Sequence, residues 1–103
     1  MTVVVTRNVP ERYRGFLASC MLELAPGVYT GPDMSPSVRE RVWAVCCEWA
    51  GTLPGDGGVL MTWTDKEMPS GQGVLTLGWP RKELTELDGV WLDRREVGSL
   101  TTE

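Results

Sequence analysis

Residues 2–11, TVVVTRNVPE, contain the passage from a strand to a helix on which the fold is built. Residues 3–5 are a continuous β-branched run, which is typical of a strand buried on both faces. Asn8 is a favourable residue for capping a helix, and Pro10 is tolerated in the first turn. Glu11 occupies the third helical position, where its carboxylate completes a capping box. The stretch therefore predicts a strand followed directly by a helix.

An apolar stripe follows at the spacing of an α-helix, at i, i+3, i+4, i+7, i+8 and i+11. Its members are Tyr13, Phe16, Leu17, Cys20, Met21 and Leu24. The stripe predicts a first helix that continues to Leu24 and is ended by Pro26 and the glycine after it. Residues 27–31, GVYTG, then predict a short strand between two glycines.

The second helix is predicted to begin at Ser35, an N-cap residue followed by proline at the first helical position. Its apolar stripe consists of Val38, Val42, Val45, Trp49 and Leu53. Residues 59–64 and 74–79 predict two strands, joined by a polar hairpin loop over residues 65–71. A short last strand is predicted over residues 90–92.

These elements indicate an α/β (α+β) two-layer sandwich, with two helices on one face of a four-stranded sheet and a short C-terminal strand. A chain of 103 residues suits one domain, which we place in residues 1–97, with residues 98–103 as a flexible tail. The other face of the sheet is expected to be bare. Leu75, Leu77 and Trp79 share one face of their strand, and we expect part of this apolar area to meet a second copy.

The composition excludes several chemistries. The chain has no histidine, which excludes hydrolases with a histidine base and His-ligated zinc. The three cysteines, Cys20, Cys46 and Cys47, form no CxxC pair, so we expect buried, reduced thiols. No apolar run is long enough to span a bilayer and no secretion signal is recognisable, so we expect a cytoplasmic protein without membrane contact.

The charge balance is acidic but unevenly distributed. Ten basic and fourteen acidic residues give a net charge of −4, which for the chain as a whole argues against a nucleic-acid binder. Residues 83–103 hold six acidic and two basic residues, so this segment carries the entire net charge. The first 82 residues are neutral overall, which leaves room for a local basic face.

Several segments, in their order and spacing, resemble the CRISPR-associated protein Cas-two in its short subtype I-E form. They are residues 2–10, 12–15, 23–31, 38–43, 78–82 and 87–89. The resemblance implies a ferredoxin-like fold and a symmetric homodimer with an exchanged C-terminal strand. It also implies a role in spacer acquisition, the adaptation step of antiviral defence. In that role the dimer bridges two dimers of the Cas-one integrase and holds double-stranded prespacer DNA, mainly without catalysis.

Many relatives are also described as metal-dependent endonucleases, with an acidic residue at the end of the first strand. That position is Arg7 here, and a guanidinium stays protonated and cannot ligate Mg²⁺. We therefore assign no catalytic residue, no metal ligand and no cofactor. The first alternative is a metal-dependent endonuclease acting on RNA or DNA, for which Mg²⁺ would be a cofactor. The second alternative is a ferredoxin-like regulatory dimer that senses a ligand.

The candidate contacts to DNA phosphates are five residues that match basic positions of the family. They are Arg12, Arg14, Arg39, Arg81 and Lys82. The dipole at a helix N-terminus disfavours an arginine by about 0.3–1 kcal/mol, and a bound phosphate reverses that penalty. The alternative for each residue is a solvated side chain or an ion pair with a nearby glutamate. Ser37 stands where relatives carry a lysine, so one contact is missing.

Aromatic and acidic residues supply the remaining candidates. Trp43 lies off the main stripe of the second helix, so it either packs under a loop or contacts a partner protein. Trp91 and Asp93 are assigned to the exchanged C-terminal strand and the partner interface. Acidic residues 83–88 form a solvated face or meet a basic surface on the integrase. Three further aromatic residues are expected in the core, namely Tyr29, Trp49 and Trp63.

Overall fold

A computed structural model describes residues 1–78 of the chain and, for the backbone, two strands near the C-terminus. The helices are α1 (Glu11–Cys20) and α2 (Pro36–Glu48), and a 3₁₀ turn, Ala50–Thr52, follows the second. The strands are β1 (Thr2–Arg7), β2 (Leu22–Ala25), β3 (Val28–Gly31), β4 (Gly58–Thr64), β5 (Gln72–Leu77), β6 (Leu84–Leu87) and β7 (Val90–Asp93). Neither described helix has the length and apolar content needed to cross a membrane.

The first strand lies at the centre of an antiparallel five-stranded sheet. The strand order is β2-β3-β1-β4-β5, and Val4 on β1 faces Tyr29 on one neighbour and Met61 on the other. The α+β class is therefore confirmed, whereas the prediction of a four-stranded sheet is wrong. The terminal strand β7 was predicted, but it pairs with β6 in a separate two-stranded sheet.

The additional strand, β2, lies within the segment predicted to be helical. Helix α1 ends at Cys20, and Met21 already has an extended backbone, with φ −138° and ψ 164°. Met21 is buried, but Leu24 is 63% exposed and so does not continue the apolar face of a helix. The segment instead pairs with β3, which satisfies its backbone hydrogen-bonding groups along that edge. The apolar residues keep a helical spacing as far as Leu24, although the helix itself ends at Cys20.

The two helices begin differently. For α2 the prediction is confirmed, because the Ser35 hydroxyl accepts a 3.3 Å hydrogen bond from the backbone N–H of Val38. For α1 the predicted capping box is wrong, because Pro10 occupies the cap position and no side chain caps the helix. Asn8 instead has a φ of 48°, in the left-handed region that asparagine tolerates better than most residues. Its amide donates a 2.6 Å hydrogen bond to Asp56 in the loop before β4.

The core fills the space between the helices and one face of the sheet. Its buried apolar residues are Val4, Tyr13, Leu17, Met21, Tyr29, Val42, Cys46, Val59 and Met61. The Tyr13 hydroxyl joins the helices by donating a 2.9 Å hydrogen bond to the backbone carbonyl of Cys46. Trp49 and Trp63 pack against this core as half-buried side chains, and Tyr29 is fully buried, so the expectation for the three aromatic residues holds.

Neither described helix packs on the opposite face of the sheet, which we call the uncovered face, and its apolar side chains are half-buried. Because side chains alternate along a strand, it presents five apolar residues from four strands. They are Val3, Val5, Val28, Leu60 and Val74. Leu75 and Leu77 pair with Met61 and Val59, so they lie on the face that the helices cover, and the expectation that they meet a second copy stays a prediction. Trp79 lies outside the described residues.

Two equally buried tyrosines should respond differently to loss of the hydroxyl. Tyr13→Phe leaves the buried Cys46 carbonyl without its donor, so we expect the free energy of unfolding to fall by about 1–2 kcal/mol. The Tyr29 hydroxyl makes no hydrogen bond of good geometry among the described residues, although burial and then the nearby Glu23 carboxylate raise the pKa of Tyr29. Tyr29→Phe should therefore cost less than Tyr13→Phe. Urea unfolding of both variants measures the difference. Equal losses would contradict the assigned hydrogen bond.

Candidate nucleic-acid interface

The strand directions decide where the two helices begin. Helix α1 follows β1, whose last residue, Arg7, pairs with Gly58. Helix α2 follows β3, whose last residue, Gly31, pairs with Thr2 at the start of β1. Because β1 and β3 are antiparallel, the N-termini of α1 and α2 lie at opposite ends of the helical layer. A helix N-terminus leaves backbone N–H groups without intrahelical partners, and at α2 the Ser35 hydroxyl accepts a hydrogen bond from one of them, that of Val38.

At the first of these ends, α1 presents Arg12 and Arg14, both of which are exposed. The guanidinium carbon of Arg12 lies 5.2 Å from the centre of the Trp49 ring, within the range of a cation–π interaction. Arg14 lines an open cleft of about 290 Å³ together with Thr6 and Gly27. Two cations therefore stand in the first turns of a helix that no side chain caps.

At the other end, α2 presents Arg39 in its first turns. Its backbone N–H donates a 2.9 Å hydrogen bond to the Ser35 carbonyl, which fixes the start of the helix. The side chain is half-buried, and its guanidinium carbon lies 4.2 Å from the centre of the Trp63 ring. This distance is shorter than the one at Arg12, so Arg39 is the more closely held of the two.

The structure thus locates three of the five predicted phosphate contacts. Arg12 and Arg14 are together, and Arg39 is at the opposite end of the layer. Arg12 lies over Trp49, which follows Arg39 by ten residues. Ten residues span about 15 Å along a helix axis, so this is the approximate separation of the two ends. Arg81 and Lys82 lie outside the described residues. Among the described residues, none of the three located guanidiniums forms an ion pair with a carboxylate.

Of the three residues predicted to contact partners, the structure describes the side chain of Trp43 alone. Trp43 is half-buried and packs against the core, which favours packing within its own molecule over a purely external role. Trp91 and Asp93 lie on β7, opposite Glu86 and Leu84 of β6, and their side chains are outside the described part of the structure. The acidic segment that includes Glu86 is therefore partly a strand, which the sequence analysis did not predict.

The end of β1 does not fit a divalent metal ion. Arg7 is exposed there, and the nearby Asp56 carboxylate already accepts the hydrogen bond from Asn8. Within the described residues, no three histidine, cysteine, aspartate or glutamate side chains are grouped so that they could hold a metal. Hydrolysis assisted by Mg²⁺ needs oxygen ligands around the ion, and this set does not supply them.

The thiols do not form an activated nucleophile. Cys46 is buried, and burial, followed by the neighbouring Cys47, raises its pKa to about 12. A thiol with so high a pKa is protonated at neutral pH and therefore a weak nucleophile. Cys20 and Cys47 are exposed, so the expectation of buried thiols is confirmed for Cys46 alone. All three are free cysteines, as predicted.

Sequence reasoning missed that two tryptophans contact the candidate arginines. Trp49 and Trp63 were expected in the core only, and each also offers the face of its ring to a guanidinium. For the Arg39–Trp63 pair, one feature of the sequence indicates an exposed ring face: Gly73 lies opposite Trp63 in the β4–β5 hairpin. A glycine opposite a tryptophan indicates that the ring lies over the neighbouring strand.

Comparison with protein families identifies the chain. A family model described as CRISPR-associated protein (Cas_Cas2CT1978) matches residues 1–92. The chain belongs to this family. The match includes both helices, the five-stranded sheet and the three located arginines. The resemblance stated from the sequence is therefore confirmed, while membership by itself leaves the activity, partners and assembly of this member to be argued.

Proposed function

We propose that the chain is a CRISPR adaptation subunit that forms a homodimer, bridges dimers of the Cas-one integrase and holds prespacer DNA by its backbone. The observation that carries the proposal is the presence of arginines at the N-termini of both helices, where an isolated helix would disfavour them. A phosphate relieves that conflict, because it accepts hydrogen bonds from both the helix N–H groups and the guanidinium. Family membership supports the CRISPR context.

The chemistry of these contacts favours the DNA backbone over the base edges. Guanidinium groups and helix N-termini both match phosphate, and phosphate contacts carry no direct sequence information. A subunit that holds fragments of any foreign DNA needs such sequence-independent contacts. Under this proposal Arg81 and Lys82 extend the same surface, and the two-fold axis of a dimer doubles every contact.

The proposed dimer forms through the uncovered face of the sheet, on which neither described helix packs. Its apolar residues are half-buried within residues 1–78, and a second copy would remove their remaining exposed area from water. A second copy applied through the same face gives a symmetric interface in which each protomer supplies an identical patch. The helices, with Arg12, Arg14 and Arg39, then face outward on both sides of the dimer.

The C-terminal region and Trp43 are proposed to meet the integrase and the second protomer. Strands β6 and β7 form their own two-stranded sheet, separate from the five-stranded sheet. Trp91 and Asp93 belong to that unit, which is thus available to pack on another protein under this proposal. The half-buried Trp43 contributes the exposed part of its ring.

The endonuclease alternative is not favoured by the described residues, since Arg7 replaces the acid that the activity needs at the end of β1. For the same reason we propose no cofactor. The ligand-sensing alternative likewise has no supporting observation in the described part of the chain, where the clefts are shallow and open. We therefore propose a binding and bridging role rather than a catalytic one.

Charge reversal at the helix starts should weaken DNA binding. We expect Arg12→Glu, Arg14→Glu and Arg39→Glu each to lower the affinity for a short duplex by about tenfold or more, because each loses a charge-assisted contact. Fluorescence anisotropy measures the affinity, and an integration assay with the Cas-one integrase measures spacer acquisition. Lys66→Glu, in the exposed hairpin loop, makes the same change in net charge away from the helix starts. Equal losses in this control would contradict a localised interface.

A charge on the uncovered sheet face should break the dimer. Leu60→Asp places a carboxylate at the proposed interface in both protomers, and we expect the dimer dissociation constant to rise on the order of a hundredfold. Leu75→Asp is the matched control, because Leu75 is 38% exposed on the opposite face of the same sheet. Sedimentation analysis distinguishes the two. A Leu60→Asp variant that stays dimeric would show that the interface lies elsewhere.

A further inference from the structure

Trp63 is held in a sandwich between the sheet and Arg39. It faces Gly73 across the β4–β5 pair, and a Cβ atom at Gly73 would collide with its indole ring. The indole therefore lies directly over the backbone of β5, where any larger residue would displace it. The guanidinium of Arg39 covers the ring, with its carbon 4.2 Å from the ring centre. Trp63 thus joins a rigid strand to a charged side chain on α2.

Trp49 supports Arg12 in a similar way at the other end of the helical layer. Tyr13 and Phe16 pack nearly perpendicular to its ring, with ring centres 5.4 and 5.7 Å away and interplanar angles of 82° in both cases. These two residues of α1 fix the orientation of the indole. The guanidinium carbon of Arg12 lies 5.2 Å from the ring centre. Each helix start therefore has one arginine seated on an indole.

Stacking of this kind leaves the hydrogen-bonding groups of the arginine available. A guanidinium carries five N–H donors in its plane, and an aromatic ring interacts with the flat face of the group. An ion pair with a carboxylate would instead occupy the donors. A free arginine loses side-chain entropy when a ligand fixes it, and prior stacking reduces that loss.

We propose that Trp63 and Trp49 are positioning residues for phosphate binding, each holding one guanidinium in an orientation ready for a DNA phosphate. The inference rests on the proposed function, and it adds that the indoles act through the arginines. Arg39 is the stronger instance, because its ring distance is shorter and the side chain is half-buried. Loss of the indole would therefore lower the affinity for DNA even though the arginine is still present.

A double-mutant cycle on the full-length protein tests the pairing. We expect Arg39→Ala to lower the affinity for a short duplex about tenfold and Trp63→Leu about three- to fivefold. The double variant should bind like Arg39→Ala alone, because the indole has no other route to the DNA. Trp63→Phe, which keeps an aromatic face, should lose less than Trp63→Leu. The control combines residues of different pairs: in Arg12→Ala with Trp63→Leu, the fold-losses in affinity of the two single variants should multiply, because these residues do not contact each other.

Gly73→Ala tests the same point with Arg39 and Trp63 both unchanged. Its added methyl group displaces the indole, so we expect a loss similar to that of Trp63→Leu. Gly51→Ala is the matched control, since a Cβ there meets nothing within 4 Å. In the free protein, the Arg39 Nε–H resonance should show an upfield ring-current shift that both Trp63→Leu and Gly73→Ala abolish. Thermal unfolding of each variant separates loss of positioning from loss of fold.

The possible failures are distinguishable. If Arg39→Ala leaves the affinity unchanged, the proposed DNA-binding surface is wrong and this inference falls with it. If Arg39→Ala weakens binding but Trp63→Leu does not, or if their losses multiply in the double variant, the surface stands and the positioning role is wrong. A folded Gly73→Ala protein that keeps both the ring-current shift and full affinity would overturn the role assigned to the sandwich.

Discussion

The central position of β1 is the constraint on which the rest of the structure depends. Its antiparallel pairing with β3 and β4 sets Val4 between Tyr29 and Met61, and this row forms the floor of the core. Because each helix follows one of two antiparallel strands, α1 and α2 begin at opposite ends of the same face. One pairing pattern thus determines the covered face, the uncovered face and the position of both helix starts.

The arrangement of charge follows from that constraint. Arginines at both helix starts oppose the local dipole, and none of the three located ones forms an ion pair with a carboxylate among the described residues. Instead, Arg12 and Arg39 rest on indoles that the core and the sheet hold in place. This stacking orders an exposed cation, Arg12, and a half-buried one, Arg39, in a chain whose net charge is negative. Residues 83–103 carry the whole net negative charge, and Arg12, Arg14 and Arg39 lie outside that segment.

Much of the fold could be predicted from local patterns. Ser35, the β-branched run of β1 and the polar hairpin loop each act through neighbours in sequence, and their elements are found as expected. Strand β2 was missed because Met21 fits a helical period although its backbone is extended. Asn8 was misassigned because its partner, Asp56, is distant in sequence. The Arg39–Trp63 contact depends on strand register and helix packing together, which no local pattern contains.

The salt dependence of duplex binding tests the central claim, which is that the protein binds the phosphate backbone of DNA independently of its sequence. Two duplexes of equal length and unrelated sequence are titrated with the full-length protein across a range of salt concentrations. With about six phosphate contacts, the affinity should fall on the order of a thousandfold between 50 and 200 mM salt, equally for both duplexes. An affinity that barely changes with salt, or a strong preference for one of the two sequences, would contradict the account.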